Sequence, residues 1–210
     1  RVLMKEPSFK ELKKALNFES ERKITLNVGL DPREGKYHET ACNACYTHYS
    51  FKEAEALKWH CSCGGQVKKG VKERILELAN FKEENHPSFR PDYLHLIPLA
   101  EIIQLTLGER TPERPAVQEL WKEFVQKFGT EINALVDAPI IELMEVHEEV
   151  AKNIESFRKG LVVYSPGGGG DYGRPFICNS EAEYNQKIEE LKNERVQKKS
   201  QKTLFEFRKL

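Results

Sequence analysis

The 210 residues carry 33 Lys and Arg against 33 Asp and Glu, so the formal charge is zero, with 39% apolar and 31% charged residues. That length admits one or two domains. No run of about 18 apolar residues occurs and no signal peptide can be read, which excludes a helical membrane span, argues against secretion and makes a soluble chain the expectation.

A zero total leaves nucleic-acid binding open, because that depends on local clusters of Lys and Arg. The chain starts at Arg1 and not at Met, which reads as a fragment of something larger. Ser8 followed three residues later by Glu11 is a capping box ahead of Phe9, Leu12, Ala15 and Leu16, and predicts a short helix. Ile24, Leu26, Val28 and Leu30 then alternate with small or polar neighbours, the period of a half-buried strand ended by Asp31 and Pro32.

The densest signal follows. Cys42 and Cys45 stand as C-x-x-C, and Cys61 and Cys63 as C-x-C before Gly64 and Gly65. Two close pairs of soft thiolates can converge on one tetrahedral, structural zinc. His60 and Cys63 have the x-x spacing, so His60 rivals Cys61 for the fourth ligand place. Ordinary buried thiols are the bland alternative, and four of the five cysteines within 22 residues weigh against it. Metal-binding cysteines in place of a disulfide framework point to a reducing compartment, the cytoplasm. Between the pairs, Ser50 and Glu53 form a second capping box and predict a helix over 51–58, with Trp59 packed near the metal.

After the cysteines, Lys68, Lys69, Lys72 and Arg74 surround a helix start near residue 70 and could face phosphate, or could line a solvated helix face. Residues 85–93 read as a connector. A helical pattern starts at Leu94, with Leu99, Ile102, Ile103 and Leu107 on one face and Gly108 as its stop. A second helix over 115–128 places Val117, Leu120, Trp121, Phe124 and Phe128 together as core. Residues 128–160 resemble the helix-hairpin-helix module of DNA repair proteins, but the turn holds His147, Glu148 and Glu149 where that module has glycines. A degenerate, mainly structural hairpin is expected.

A short strand over 161–164 runs into Gly167, Gly168, Gly169 and Gly170, a loop that could accept an anion or serve as a flexible link. Walker A is excluded, since Asp171 follows in place of Lys-Ser/Thr. From Glu181 the chain is a charged helix or a disordered tail. Inside it, Gln201, Leu204, Phe205 and Phe207 form an apolar cluster among lysines. The cluster resembles the peptides that bind sliding clamps, bacterial or archaeal and eukaryotic, so a replication clamp is an expected partner. Folding of the tail back onto the body is the alternative. The predicted fold class is α+β and mainly helical: a four-cysteine, zinc-ribbon-like module over 35–84, a helical domain over 94–180 with the degenerate hairpin and glycine loop, and a flexible tail over 181–210.

The strand N-V-G-L-D-P, the run G-K-Y-H-E-T-A-C-N-A-C-Y, C-G-G-Q-V-K-K-G-V-K-E-R-I, P-L-A-E-I-I and P-G-G-G-G-D-Y-G together resemble the C-terminal half of the endonuclease Q family. The resemblance implies a PHP-type, metal-dependent nuclease that incises DNA 5′ of deaminated bases such as uracil and hypoxanthine, or of abasic sites. Its catalytic divalent metals are expected in an N-terminal PHP domain with a His-x-His motif. No such motif occurs here, so no catalytic residue transfers and enzyme activity of this chain is left open. Residues 1–34 resemble only the end of that domain. The resemblance makes Lys36, Tyr37, His38 and the glycine loop candidates for DNA contact near the lesion. A non-enzymatic zinc adaptor tethered to the clamp is the competing expectation.

Overall fold

The computed structural model describes residues 1–83 and 85–207, with side chains up to residue 197. In chain order the elements are β1 (Val2–Leu3), α1 (Phe9–Leu16), β2 (Lys23–Ile24), β3 (Leu26–Gly29), β4 (Ala41–Cys42), α2 (Phe51–Ala56), β5 (Val67–Lys68), α3 (Val71–Leu78), β6 (Asp92–His95), α4 (Leu99–Leu107), α5 (Pro115–Phe128), α6 (Ile140–Met144), α7 (Glu148–Arg158), β7 (Val162–Ser165), β8 (Arg174–Ile177) and α8 (Glu181–Phe207). A 3-10 turn at Pro32–Glu34 and a π-helical turn at Asn133–Asp137 complete the set. The mixed, helix-rich class agrees with the sequence expectation. Two compact units form, one from Arg1–Asp31 with Ala79–Leu96 and one from Pro32–Leu78 with the chain from Ile97 onward.

In the first unit the expected single strand is two. The chain turns out of register at Thr25, so β2 pairs antiparallel with β1 while β3 pairs in parallel with β6, Leu26 opposite Asp92 through Gly29 opposite His95. β6 takes the end of the expected connector and the first residues of the segment expected to be helical from Leu94, and α4 starts only at Leu99, after Pro98. The short D-Y-L-H run of β6 has no long alternation to announce it. Val28 and Leu30 are exposed, against the half-buried expectation. Ser8 caps α1 by accepting from the Glu11 amide at 3.3 Å. The Glu11 carboxylate does not return to Ser8. It accepts from the Lys5 amide (3.0 Å), Lys14 Nζ (2.7 Å) and Arg22 Nε (2.6 Å), and these cations hold its pKa down to about 2.

The second unit holds the main core. Leu99, Ile102, Ile103, Val117, Phe124, Leu135, Leu143, Val150 and Ile154 are fully buried, and come from α4, α5, the π turn, α6 and α7. α4 ends as expected, with Gly108 left-handed at φ 67° and its amide donating to Gln104 O. Leu107 lies at the exposed edge of its face. The π turn closes with the Ala138 amide on Asn133 O at 2.8 Å. Arg158 satisfies carbonyls within it, donating to Leu135 O and Ala134 O, each at 2.9 Å. β7 and β8 form an antiparallel hairpin with Ser165 opposite Arg174, and β8 has no counterpart among the elements expected from sequence. The charged segment after Glu181 takes its helical form.

Candidate metal centre and nucleic-acid interface

The cysteine module is built on very little regular structure. β4 and β5 pair only over Ala41 opposite Lys68 and Cys42 opposite Val67. Between them α2 is started by the complete Ser50–Glu53 capping box, with the Ser50 amide donating to Glu53 Oε2 at 2.7 Å and the Glu53 amide to Ser50 Oγ at 3.3 Å. α2 stops at Ala56, two residues short of expectation, because Lys58 and Trp59 both turn left-handed, at φ 49° and 62°. That reversal brings Trp59 onto a small core of Cys42, Ala54, Cys61 and Val67, with Phe51 edge-on to its ring at 5.8 Å.

Cys42, Cys45, Cys61 and Cys63 converge. Their sulfurs all lie within 4.8 Å of one another, with Cys42 to Cys63 and Cys45 to Cys61 both at 3.6 Å. A tetrahedral zinc with Zn–S near ~2.3 Å needs sulfurs about 3.8 Å apart, so the four thiols fit such an ion. His60 is not among them. Its Nδ1 is on Lys58 O at 2.6 Å and its side chain is exposed, so the fourth member of the cluster is the buried Cys61. Amides point at two of the sulfurs, Ala44 N to Cys42 and Gly65 N to Cys63, each at 3.4 Å. Gly65 is demanded by space: a Cβ there would stand 2.6 Å from Cys42 Sγ and 2.7 Å from Ala44 Cβ. The Tyr49 hydroxyl meets Cys61 Sγ at 3.0 Å, and donates there whenever the sulfur is a thiolate. Burial, then that hydrogen bond, raise the Tyr49 pKa well above the ordinary phenol value, so it stays a donor.

Three stretches singled out for DNA contact lie far apart in sequence and meet beside this module. Val71 N donates to Tyr37 O at 2.9 Å and Lys72 N to His38 O at 3.0 Å, which seats the start of α3 on residues 36–38. From the other side Gly170 N donates to Lys36 O at 2.9 Å, and Glu39 N to Gly167 O at 2.9 Å.

The glycine loop is therefore not a free linker. Gly167, Gly168 and Gly169 are buried, and the amides of Gly167, Gly168 and Gly170 donate to Arg33 O, Asp171 O and Lys36 O. Those three amides are spent on carbonyls and offer no anion cradle. The glycines are needed for close approach instead: Gly169 is left-handed at φ 68°, and a Cβ on it would collide with Cys42 O.

The cations divide. Lys69 and Arg74 both pair with Glu77, Arg74 at 3.0 Å, and Lys68 Nζ sits on Gln66 Oε1 at 2.6 Å. Lys72 Nζ is 3.3 Å from Glu39. Glu39 is a hub, also meeting His48 Nδ1 at 3.0 Å and Arg195 of α8 at 3.2 Å. Burial would raise its pKa, but the His48 hydrogen bond and the charges of Arg195 and Lys72 prevail and hold it near about 2. Glu39, His48, Lys72 and Arg195 stand at an open cavity of about 710 Å³ walled also by the glycine loop, Arg174 and Lys187. Lys36 makes no ion pair among the described residues and stands 5.6 Å from the ring centroids of both Tyr37 and Tyr172.

α6 and α7 form the expected helix pair, but the turn is not arranged for phosphate. His147 Nδ1 accepts from Val150 N at 3.3 Å as the α7 cap, and Lys152 neutralises Glu148 and Glu149 at 2.8 and 2.9 Å. Gln201, Leu204, Phe205 and Phe207, expected from sequence as a clamp-binding peptide, fall on the last turns of α8, and their side chains lie outside the described residues. Sequence reasoning does not find Tyr49, Glu39, His48 or Arg195, because single residues of ordinary type carry no spacing signal. Tyr172 stands inside the D-Y-G run, and that run is the one signal that could have found it. No helix among the described residues is long and apolar enough to cross a membrane.

Residues 98–161 match the family described as the MJ0043 C-terminal domain. The chain is 49% identical over 170 residues to the uncharacterized protein MJ0043 of Methanocaldococcus jannaschii, covering 80% of this chain and 21% of that protein. It is 34% identical to the uncharacterized protein YqxK of Bacillus subtilis, covering 79% of this chain and 39% of the relative. The chain thus spans well under half of either. Among solved structures it matches the lesion-specific endonuclease PfuEndoQ from Pyrococcus furiosus at 49% identity and TM-score 0.75. It also matches endonuclease Q in complex with a 27-mer duplex substrate that has an abasic lesion at the active site, at 49% identity and TM-score 0.77. Each match covers 84% of this chain and 44% of the solved one. By sequence and by fold, the chain is a relative of endonuclease Q that matches the C-terminal part of that protein.

Proposed function

We propose that this chain is the accessory, DNA-holding part of a repair endonuclease that incises 5′ of deaminated bases or of abasic sites, with hydrolysis carried out by divalent metals in a PHP domain outside it. The observation that carries the reading is the convergence of residues 36–38, the start of α3 and the glycine loop around one four-cysteine module. Solved endonuclease Q with abasic duplex supports DNA as the ligand. In this reading Cys42, Cys45, Cys61 and Cys63 hold a structural zinc that, when bound, adds folding free energy and fixes the loops. Lys36, Tyr37, His38, Lys68, Lys69, Lys72 and Arg74 face the nucleic acid. Gly167 to Gly170 serve by letting two backbones approach, and α6–α7 as a structural hairpin. Residues 1–34 are the end of a PHP domain, 35–84 the zinc module, 94–180 the helical domain and 181–210 a clamp-recruiting extension through Gln201, Leu204, Phe205 and Phe207. The working compartment is the cytoplasm.

The neutralisation of Lys69 and Arg74 by Glu77, and of Lys72 by Glu39, favours a second reading: a zinc-containing adaptor tethered to a sliding clamp, with no DNA role. Fluorescence anisotropy of a duplex with one abasic site, titrated at two salt concentrations, decides between them. Binding that weakens steeply with salt and is lost with a zinc chelator is the expected result. No binding at low salt would sink the DNA-holding role and leave the adaptor.

A further inference from the structure

Tyr172 and the pair Lys36–Tyr37 lie far apart in the chain, yet make one exposed group. Lys36 Nζ stands 5.6 Å from the centroid of the Tyr37 ring and 5.6 Å from that of the Tyr172 ring, within the reach of a cation–π contact on both sides. Both rings are open to solvent, Tyr37 by 47% and Tyr172 by 65%. Exposed aromatics of this size contribute nothing to the core. Lys36 has no carboxylate partner among the described residues, so its charge is uncompensated.

The backbone beneath is rigid. Gly170 N holds Lys36 O, Val71 N holds Tyr37 O at 2.9 Å, and the residues flanking Tyr172 are pinned by Asp171 N on Gly168 O (3.1 Å) and Gly173 N on Glu34 O (2.9 Å). The space beside the rings is left open by Gly170, where a Cβ would find only the Tyr37 hydroxyl, at 4.0 Å. Two exposed rings with one ammonium near both and no carboxylate on it, set on a hydrogen-bonded base, match the chemistry of an unstacked nucleotide: a π face to lie on a ring and a phosphate for the cation.

We infer that Tyr37, Lys36 and Tyr172 form a stacking clamp for an unpaired nucleobase and its phosphate, and so direct the chain toward single-stranded or locally opened DNA. The inference rests on the DNA-holding role proposed above and adds which form of DNA is preferred and which side chains select it. Stacking on an aromatic ring tolerates any base, so the preference is for unpairing and not for sequence. An intact duplex keeps its bases stacked internally and offers the rings nothing.

The test is anisotropy of the full chain with three probes at one salt concentration: a single strand of about 20 nucleotides, the same strand in perfect duplex, and that duplex with an unpaired nucleotide. Tyr172→Ala is expected to weaken binding to the single strand and the unpaired site by about tenfold or more, with less than about twofold change on perfect duplex, and Tyr172→Phe to restore it. Lys36→Gln should lower the slope of log affinity against log salt by about one on the unpaired probes. Circular dichroism and metal content of both variants should match the parent, because all three side chains are exposed. Equal loss on all three probes, or no loss on any, would overturn the clamp while leaving the DNA-holding role standing. Failure of the parent chain to bind any probe at low salt would overturn both.

Discussion

The Tyr49 hydroxyl stands 3.0 Å from the Cys61 sulfur, and a hydrogen bond to a thiolate that held a metal would tune affinity without supplying a ligand. Tyr49→Phe should weaken zinc binding by roughly 10–100-fold while the apolar contacts of the ring remain, as read by competition with a chromogenic chelator. Gly65→Ala should cost more, since the new methyl meets Cys42 Sγ and Ala44 Cβ inside van der Waals distance. About 1–3 kcal/mol of stability is expected to go, visible as a lower urea midpoint in the metal-bound protein. Glu39 gives a pH prediction with a definite sign. Its pKa in the folded protein, about 2, lies below the ordinary 4.5, so its contribution is present above that ordinary value and is lost as pH falls from about 4.5 toward 2. Glu39→Gln should flatten the part of the acid loss that is due to this group, measured as urea midpoint against pH beside the parent.

The elements show how short segments are held by features other than their own propensity. α2 has only six residues, too few to persist alone, and relies on its capping box and on burial of Ala54. Ser50→Ala should therefore cost about 1 kcal/mol, measured by chemical denaturation. The π turn at Asn133–Asp137 depends on α7, because two of its carbonyls accept from Arg158. Arg158→Met keeps the stem but removes both donors and should cost roughly 1–3 kcal/mol. The turn between α6 and α7 illustrates a reuse of position: His147 caps the following helix, and Glu148 and Glu149 lie in its first turn, where carboxylates suit the helix dipole. Those two acids oppose phosphate but favour the helix, which explains a hairpin that keeps its helices without the glycines of a phosphate-binding turn.

In the larger unit the cysteine module and the glycine loop share a backbone seam, from Gly167 N on Arg33 O through Gly173 N on Glu34 O to Glu39 N on Gly167 O. Metal removal should propagate along it. Hydrogen exchange after chelation is expected to accelerate at Glu39, Gly167, Gly168, Gly170 and Gly173, while amides of α4, α5 and α7 in the main core keep their protection. Unchanged exchange at the glycine amides would mean that the seam stands without the metal. α8 joins the same assembly through Arg195 on Glu39.

Much of this was legible in the sequence wherever a short-range rule applies. The four cysteines, the two Ser caps, the Gly108 stop and the apolar faces of α4 and α5 each depend on spacing within a few residues, and the chain carries them as pattern. What the pattern lacked was any signal for pairings between distant segments. The split of the expected strand at Thr25, the parallel partner β6, the strand β8, and the spending of the glycine amides on Arg33, Asp171 and Lys36 carbonyls are long-range hydrogen bonds, which leave no periodicity in either partner. The same holds for the site. Composition and spacing pointed to one close-set cluster around Cys42, Cys45 and Cys63, since two pairs of soft ligands suit a single tetrahedral ion. Only the tertiary structure decided that Cys61 and not His60 completes the set, that Glu39 gathers His48, Lys72 and Arg195, and that Tyr172 returns to Lys36 and Tyr37, because each depends on where the backbone brings a lone residue of common type.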